Sequence, residues 1–201
     1  MPNIELENSL EGIVAGIDEA GRGPWAGPVV AAAVILDRNN IPAGINDSKK
    51  VSAAKRNFLY DKINASAKVG VGIIGVELID KLNILGATKM AMAEAVRNLI
   101  HLPDFALVDG NQMPALPCKA IPVVGGDGKS LSIAAASIIA KVTRDRIMHA
   151  LHEQHPHYLW NKNSGYGTKQ HIEALQIHGV TEHHRKSFAP IRELLREKIY
   201  G

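Results

Sequence analysis

The stretch "GIDEAGRGPWAGPVVAAAVIL", which begins at Gly16, limits the possible folds more than any other part of the chain. It opens on an apolar run that ends at the adjacent acids Asp18 and Glu19, and it closes on "VVAAAVIL", Val29 to Leu36. Between them lie Gly21, Gly23, Gly27, Pro24 and Pro28, a composition that reverses a chain and does not continue a helix. "IVAGID" therefore reads as a first strand, "VVAAAVIL" as a second, and "VGVGIIG" as a third, giving an antiparallel meander.

The rest of the chain alternates between helical and extended patterns. "SAAKRNFLYDKINASA" has helical spacing with Ser52 as N-cap, and "GATKMAMAEAVRNLI" is amphipathic after Gly86, with Met90, Ala91, Ala95 and Leu99 inward. "FALVDG" is a strand ending on Asp109, and "KAIPVVGGDG" is extended and runs into a glycine turn. A long helix pattern follows, with Asp127 just before its start and Pro156 at its close. Two shorter helices follow, one ending at Gly179 and one with Pro190 in its first turn. Strands first, then strands with helices, then helices alone predict a mixed α/β sheet with a helical C-terminal part.

Composition narrows the class. A length of 201 residues suits one domain, and 46% hydrophobic residues fit a soluble globular protein. Val29 to Leu36 is too short to span a bilayer, and "MPNIELENSLEG" lacks the character of a signal peptide, so no membrane association is expected. Cys118 is the single cysteine, which excludes an internal disulfide and predicts a buried thiol in a reducing, cytoplasmic setting. The formal net charge of +3 says little about a polyanionic partner, but its placement says more: "KVTRDR", "WNKN" and "HHRKSF" concentrate cations from Lys141 onward.

The acids carry the chemistry. Asp18 with Glu19, Asp109 and Asp127 fall at strand ends or a helix start, each with glycine nearby. One such residue alone would be read as a turn cap. Several converging on a point repel one another and need hard cations, Mg²⁺ or Mn²⁺. Two such ions about 4 Å apart activate a water and stabilise a leaving oxygen in phosphodiester cleavage. Adjacent strand residues face opposite ways, so Glu19 joins Asp18 only through its backbone carbonyl, a water or a distorted turn. Asp145 rivals Asp127, but it lies between Arg144 and Arg146 as an ion-pair partner would, while Asp127 lies where a helix dipole favours an anion.

Three other patterns fail. "GGDGKS" lacks the first glycine of a phosphate-binding loop, which would stand at Val123. "GRGPWAG" puts its third glycine one residue late for a dinucleotide fingerprint. "HEQHPH" gathers His152, His155 and His157, but Pro156 breaks the helix between them and no cysteine pattern completes a zinc site.

The ordered set "GIVAGIDEAGRGPWAGPVVAAAVIL", "NDSKK", "NILGATKMAM", "LVDG", "GGDGKS", "AAASIIAKVTRDR", "SGYGTKQH" and "EHHRKSFAP" resembles the bacterial ribonuclease HII family over nearly the whole chain. The resemblance implies a ribonuclease-H-like fold in a single domain, 1–201, with about 155–201 as a substrate-contacting helical part. It implies an endoribonuclease that cuts the RNA strand of RNA/DNA hybrids and cuts at ribonucleotides embedded in duplex DNA. Catalysis would use two metal ions and leave 5′-phosphate and 3′-hydroxyl ends. The four acidic positions fall on Asp18, Glu19, Asp109 and Asp127, the Gly-Arg-Gly turn on Gly21, Arg22 and Gly23, and the substrate-contacting tyrosine on Tyr166. Bare backbone at the turn would meet the 2′-hydroxyl that separates RNA from DNA. Arg22 would contact phosphate, or point away and leave the reading to its backbone.

Lys49, Lys141 with Arg144 one turn on, and His184 with Arg185 are the expected phosphate contacts, His184 also being a candidate for proton transfer. The chain departs from the family where Gly125 and Ser164 replace usual lysines, which would weaken the phosphate grip there. No extension past Gly201 is expected to carry a docking motif, and a monomer is expected. Two alternatives are a metal-dependent phosphotransferase or phosphatase on a small substrate, and a non-catalytic duplex-binding protein whose acids only cap turns.

Overall fold

The computed structural model describes residues 1–200, with side chains through Arg196; Gly201 lies outside the described residues. The strands are β1 (Val14–Ala20), β2 (Val29–Leu36), β3 (Ala67–Ile74), β4 (Phe105–Asp109) and β5 (Lys119–Val123). The helices are α1 (Glu5–Asn8), α2 (Ala53–Ser66), α3 (Val76–Arg97), α4 (Leu131–Gln154), α5 (Trp160–Asn163), α6 (Lys169–His178) and α7 (Ala189–Tyr200).

One sheet runs in the order β3-β2-β1-β4-β5. The expected meander is present: β1 pairs antiparallel with β2, and β2 with β3. β4 lies parallel to β1, and β5 parallel to β4. Helices cover both faces. Ala15, Ile17, Val29, Ala31 and Ala33 pack against α3 residues Ala91, Ala95 and Val96. Val30, Ala32 and Val34 meet α2 and α4 through Leu59, Ile63, Ala135, Ala136 and Ile139. A central strand covered on both sides has no polar face, which is why "VVAAAVIL" lacks alternation. Full burial of a side chain such as Ile17 contributes about 1.5–3 kcal/mol. The small residues set the layer spacing: a Cβ at Gly16 would stand 2.1 Å from the Ser132 carbonyl carbon, so α4 lies against bare β1 backbone.

Ser52 caps α2 as expected, its side chain accepting from the Lys55 N–H. The α3 expectation needs two corrections. The helical stretch begins at Val76 and breaks at Asn83 (φ 57°), whose side chain accepts from Leu85 and Gly86 N–H and so caps the second segment. Met90 points outward, and Met92 takes the buried place. Cys118 is half-buried against the α3-side core, not fully enclosed.

The N-terminus of α4 also differs from expectation. Ser130 is its cap, and the anion on its first turn is Glu7 from α1. Glu7 Oε1 accepts from Ser132 N–H (2.8 Å), Ser130 Oγ (2.6 Å) and Ser132 Oγ (2.7 Å). Asp127 instead sits in a separate 3₁₀ turn, Gly126–Gly128, upstream of the cap. Beyond α4, Tyr158 stacks on the buried Trp160, and this pair, with Met148, Leu175 and Ile191, packs on Ala26 of the glycine turn. Among the described residues no helix is long and apolar enough to cross a membrane.

Candidate active site

Strand register brings the first two acids together. Ile17 pairs with Val108, so the next residues, Asp18 and Asp109, end neighbouring parallel strands side by side. Both share strand parity with Gly16 and Leu107, which face α4. The chain leaving β5 then supplies Asp127. Gly126 N–H donates to Asp109 Oδ1 at 2.7 Å, which fixes the 3₁₀ turn against the end of β4. One carboxylate oxygen from each of Asp18, Asp109 and Asp127 lies within 4.8 Å of the others.

Glu19 is the exception, as strand parity requires. Its side chain is not part of that group of three; Arg22 Nη1 lies 3.3 Å from its Oε1. Its backbone N–H donates to Asp18 Oδ1 at 2.7 Å, so Glu19 orients its neighbour through the main chain.

The electrostatics are those of a site built for cations. Burial holds the Asp18 carboxyl well above the usual carboxylate range, and the charges of Glu19, Asp109 and Asp127 push it further. Glu19 is also raised, chiefly by burial, with Arg22 opposing. Burial raises Asp127, reinforced by Asp47 and Asp109 and opposed by Lys49. Burial would lower Lys49, but the surrounding Asp127, Asp18, Asp47 and Asp109 outweigh it and raise the amine. Lys49 Nζ lies 3.6 Å from Asp127 Oδ2, an exposed cation at the edge of the acidic group. Three clustered carboxylates, one of them buried, form an all-oxygen donor set that fits a hard divalent ion.

An open groove of about 400 Å³ runs from Asp18 and Glu19 past Gly21, Arg22 and Gly23 to Tyr166, with Lys49 and Lys141 along it. Tyr166 is 49% exposed, and a Cβ on Gly23 would stand 3.2 Å from its ring. Gly21 is glycine for a different reason. Its φ is +97°, and a Cβ there would meet Arg144 Nε at 2.1 Å, so both the backbone conformation and the packed guanidinium require glycine.

Three expected phosphate contacts are corrected by their surroundings. Arg144 is 2% exposed and donates to the carbonyls of Pro28, Ser164 and Ala26. Arg185 is fully buried and donates to those of Gly21, Arg22, Gly27 and Pro28. Burial pulls their guanidinium groups down to about 10 and about 9, still charged at neutral pH. They hold the glycine turn through its carbonyls. His184 is buried between His171 Nε2 (3.1 Å) and Thr181, and burial, then His171 and His183, lowers it to about 3. It is a neutral internal strut, neither a phosphate contact nor a proton carrier.

Lys141 reaches the groove while paired to Asp145 at 2.7 Å, so Asp145 is the ion-pair partner anticipated, with Lys141 in place of the flanking arginines. Gly125 and Ser164 both lie in left-handed backbone (φ 65° and 50°) and bring no cation. Ser48 and Ser137 also line the groove, with Ser48 N–H donating to Ser137 Oγ at 3.2 Å. Sequence reading missed both, because a serine carries no signal until α4 and the Asp47 turn meet.

A family model described as Ribonuclease HII matches residues 15–191. Ribonuclease HII of Wolbachia pipientis subsp. Culex pipiens is 56% identical, with 96% of this chain and 98% of the relative covered. That of Magnetococcus marinus is 55% identical, with 96% and 95% covered. Among solved structures, ribonuclease H2 from Pyrococcus horikoshii OT3 superposes with a TM-score of 0.79 at 25% identity, covering 94% of this chain and 99% of that one. The expected ribonuclease-H-like α/β fold is therefore the fold found. With this sheet, this acidic group and these relatives, the chain belongs to the ribonuclease HII family and is an endonuclease of the ribonuclease H type.

Proposed function

We propose that the protein cuts the RNA strand of RNA/DNA hybrids, and cuts at single ribonucleotides in duplex DNA, with two divalent ions, Mg²⁺ or Mn²⁺. Asp18, Asp109 and Asp127 would hold the ions, with Glu19 contributing through its backbone or a water. The bound ions would activate a water and stabilise the leaving oxygen. The observation that carries the reading is that the three carboxylates meet at Asp18, which itself lines a groove walled by the glycine turn and Tyr166. The turn, whose carbonyls are held by Arg144 and Arg185, would offer its remaining backbone groups to a ribose hydroxyl. Lys49 and Lys141 would meet phosphates, Lys49 by leaving Asp127. Acting alone as a monomer is part of the same reading.

The direct test is a labelled hybrid incubated with Mg²⁺ and with a chelator, beside a small phosphate ester. Internal cuts that leave 5′-phosphate and 3′-hydroxyl ends, only with metal, are expected. Hydrolysis of the ester with the hybrid left intact would overturn the reading.

Two side-chain predictions arise here. Asp127→Asn is expected to cost at least about 100-fold in cleavage, and Asp145→Asn less than about 10-fold, since only Asp127 belongs to the acidic group. The reverse order, measured on one hybrid, would remove Asp127 from the metal site. Tyr166→Ala is expected to lose about 10-fold more on a single embedded ribonucleotide than on a continuous hybrid, because only the former always presents the RNA–DNA junction. Gly23→Ala, which displaces the ring, should share this phenotype, and the double variant should be no worse than the poorer single one. Equal losses on both substrates would take the junction role from Tyr166.

A further inference from the structure

We propose that His155, Glu182 and His183 form a second metal site, for a transition-metal ion of the Zn²⁺ class, that fastens the C-terminal helices to the glycine turn. These residues come from two distant segments. His155 is the C-cap that follows α4, and Glu182 with His183 lies in the loop ahead of α7. One potential ligand atom from each lies within 4.8 Å of the others. The two imidazoles stand 5.3 Å apart at 67°, and His183 Nε2 is 3.7 Å from Glu182 Oε1.

Ligand atoms around a tetrahedral zinc ion are separated by about 3.3 Å, given bonds of about 2.0–2.1 Å. Closing the site thus asks for side-chain adjustments of about 1.5 Å at most, and the exposed Glu182 can make them without moving the backbone. Both rings rest on one rigid support: Trp160, fully buried, packs edge-on against His155 at 5.6 Å and against His183 at 6.0 Å. Neither histidine is a lone surface residue that happens to pass near the other.

The donor set separates this site from the acidic one. Two imidazoles and one carboxylate suit Zn²⁺, Ni²⁺ or Cu²⁺, whereas three carboxylates suit Mg²⁺ or Mn²⁺. The place of the site says what binding would do. The His183 carbonyl accepts from Gly27 N–H at 2.9 Å, and Arg185, two residues on, holds the turn carbonyls. An ion here would join the end of α4 to the loop that buttresses the turn. It would act as a clasp on architecture, leaving hydrolysis to the acidic group.

The test is Zn²⁺ binding measured by calorimetry on the wild-type chain and on Asp109→Asn, with excess Mg²⁺ as a competitor for the acidic group. About one Zn²⁺ per chain is expected in both, with a higher thermal midpoint. Glu182→Gln, His183→Gln and His155→Gln should each weaken binding by more than the roughly 10–100-fold that loss of an outer-shell partner costs. Glu182→Gln guards against misfolding: its side chain is exposed, so its metal-free midpoint should equal the wild-type value while the Zn²⁺-dependent rise disappears. Absence of Zn²⁺ binding, or binding abolished by Asp109→Asn and untouched by the Glu182 and His183 variants, would overturn the site. Neither result bears on Mg²⁺-dependent cleavage, which is read separately on the hybrid.

Discussion

Asp18→Asn is expected to lower hybrid cleavage by at least about 1,000-fold while making the metal-free protein more stable at neutral pH. The activity loss follows from position: Asp18 is the buried member of the acidic group and the one β1 side chain in it. The stability gain follows from the raised Asp18 carboxyl. A carboxyl whose folded-state pKa exceeds its unfolded value is a penalty once both states are ionised. The penalty is absent below the unfolded pKa, grows as pH rises through the folded pKa, and is complete above it. Asn removes it, so the variant should gain at pH 7 and gain nothing in strong acid. About 1 kcal/mol moves the midpoint of a chain this size by about 2–4 °C, so the gain is measurable by calorimetry. Mg²⁺ should raise the wild-type midpoint and leave the variant almost unmoved, because the ion relieves the same repulsion. Wild-type turnover in Asp18→Asn, or equal Mg²⁺ stabilisation of both proteins, would show that Asp18 does not hold the ion.

Much of this was legible in the sequence, for physical reasons that also mark the limit. The β1–turn–β2 unit and Asp18 and Asp109 at strand ends are local features, set by apolar runs and by glycine and proline in the turn. The parity argument for Glu19 is equally local, and its side chain lies outside the group of three. What escaped depends on contacts between distant segments. Glu7 lies in the stretch "MPNIELENSLEG", which carries no local signal, yet it folds onto the first turn of α4, the place assigned to Asp127. His155 looked like part of a local histidine cluster, yet its neighbours are Glu182 and His183. Arg144 and Arg185 looked like surface cations because composition reports charge and not burial. A guanidinium with several donors in a fixed fork can instead satisfy backbone carbonyls that a Gly/Pro turn leaves without partners.

That last point leads to the second large effect. Arg185→Met keeps most of the side-chain volume and removes every donor. Arg185 Nε donates to Gly27 O at 3.0 Å, Nη1 to Arg22 O at 3.0 Å, and Nη2 to Gly21 O at 2.6 Å and Pro28 O at 3.1 Å. Hydrogen bonds to a charged group contribute about 1.5–3 kcal/mol each, but some carbonyls beside the groove would rehydrate, so the expected loss is about 3–5 kcal/mol in urea unfolding. Arg185→Lys retains the charge but not the fork, and should recover less than half of that loss. Cleavage by Arg185→Lys, measured well below its midpoint, should still fall by about 10-fold or more, since a loosened Gly21–Gly23 backbone no longer presents a fixed surface to the ribose. Lys49→Ala supplies the contrast. Lys49 is a solvent-facing cation of the groove, so its loss should change stability by less than about 0.5 kcal/mol while weakening duplex binding in a salt-dependent way. If Arg185→Met instead unfolds with the wild-type midpoint and loses only salt-dependent duplex affinity, then Arg185 is a phosphate contact and the turn is held by something else.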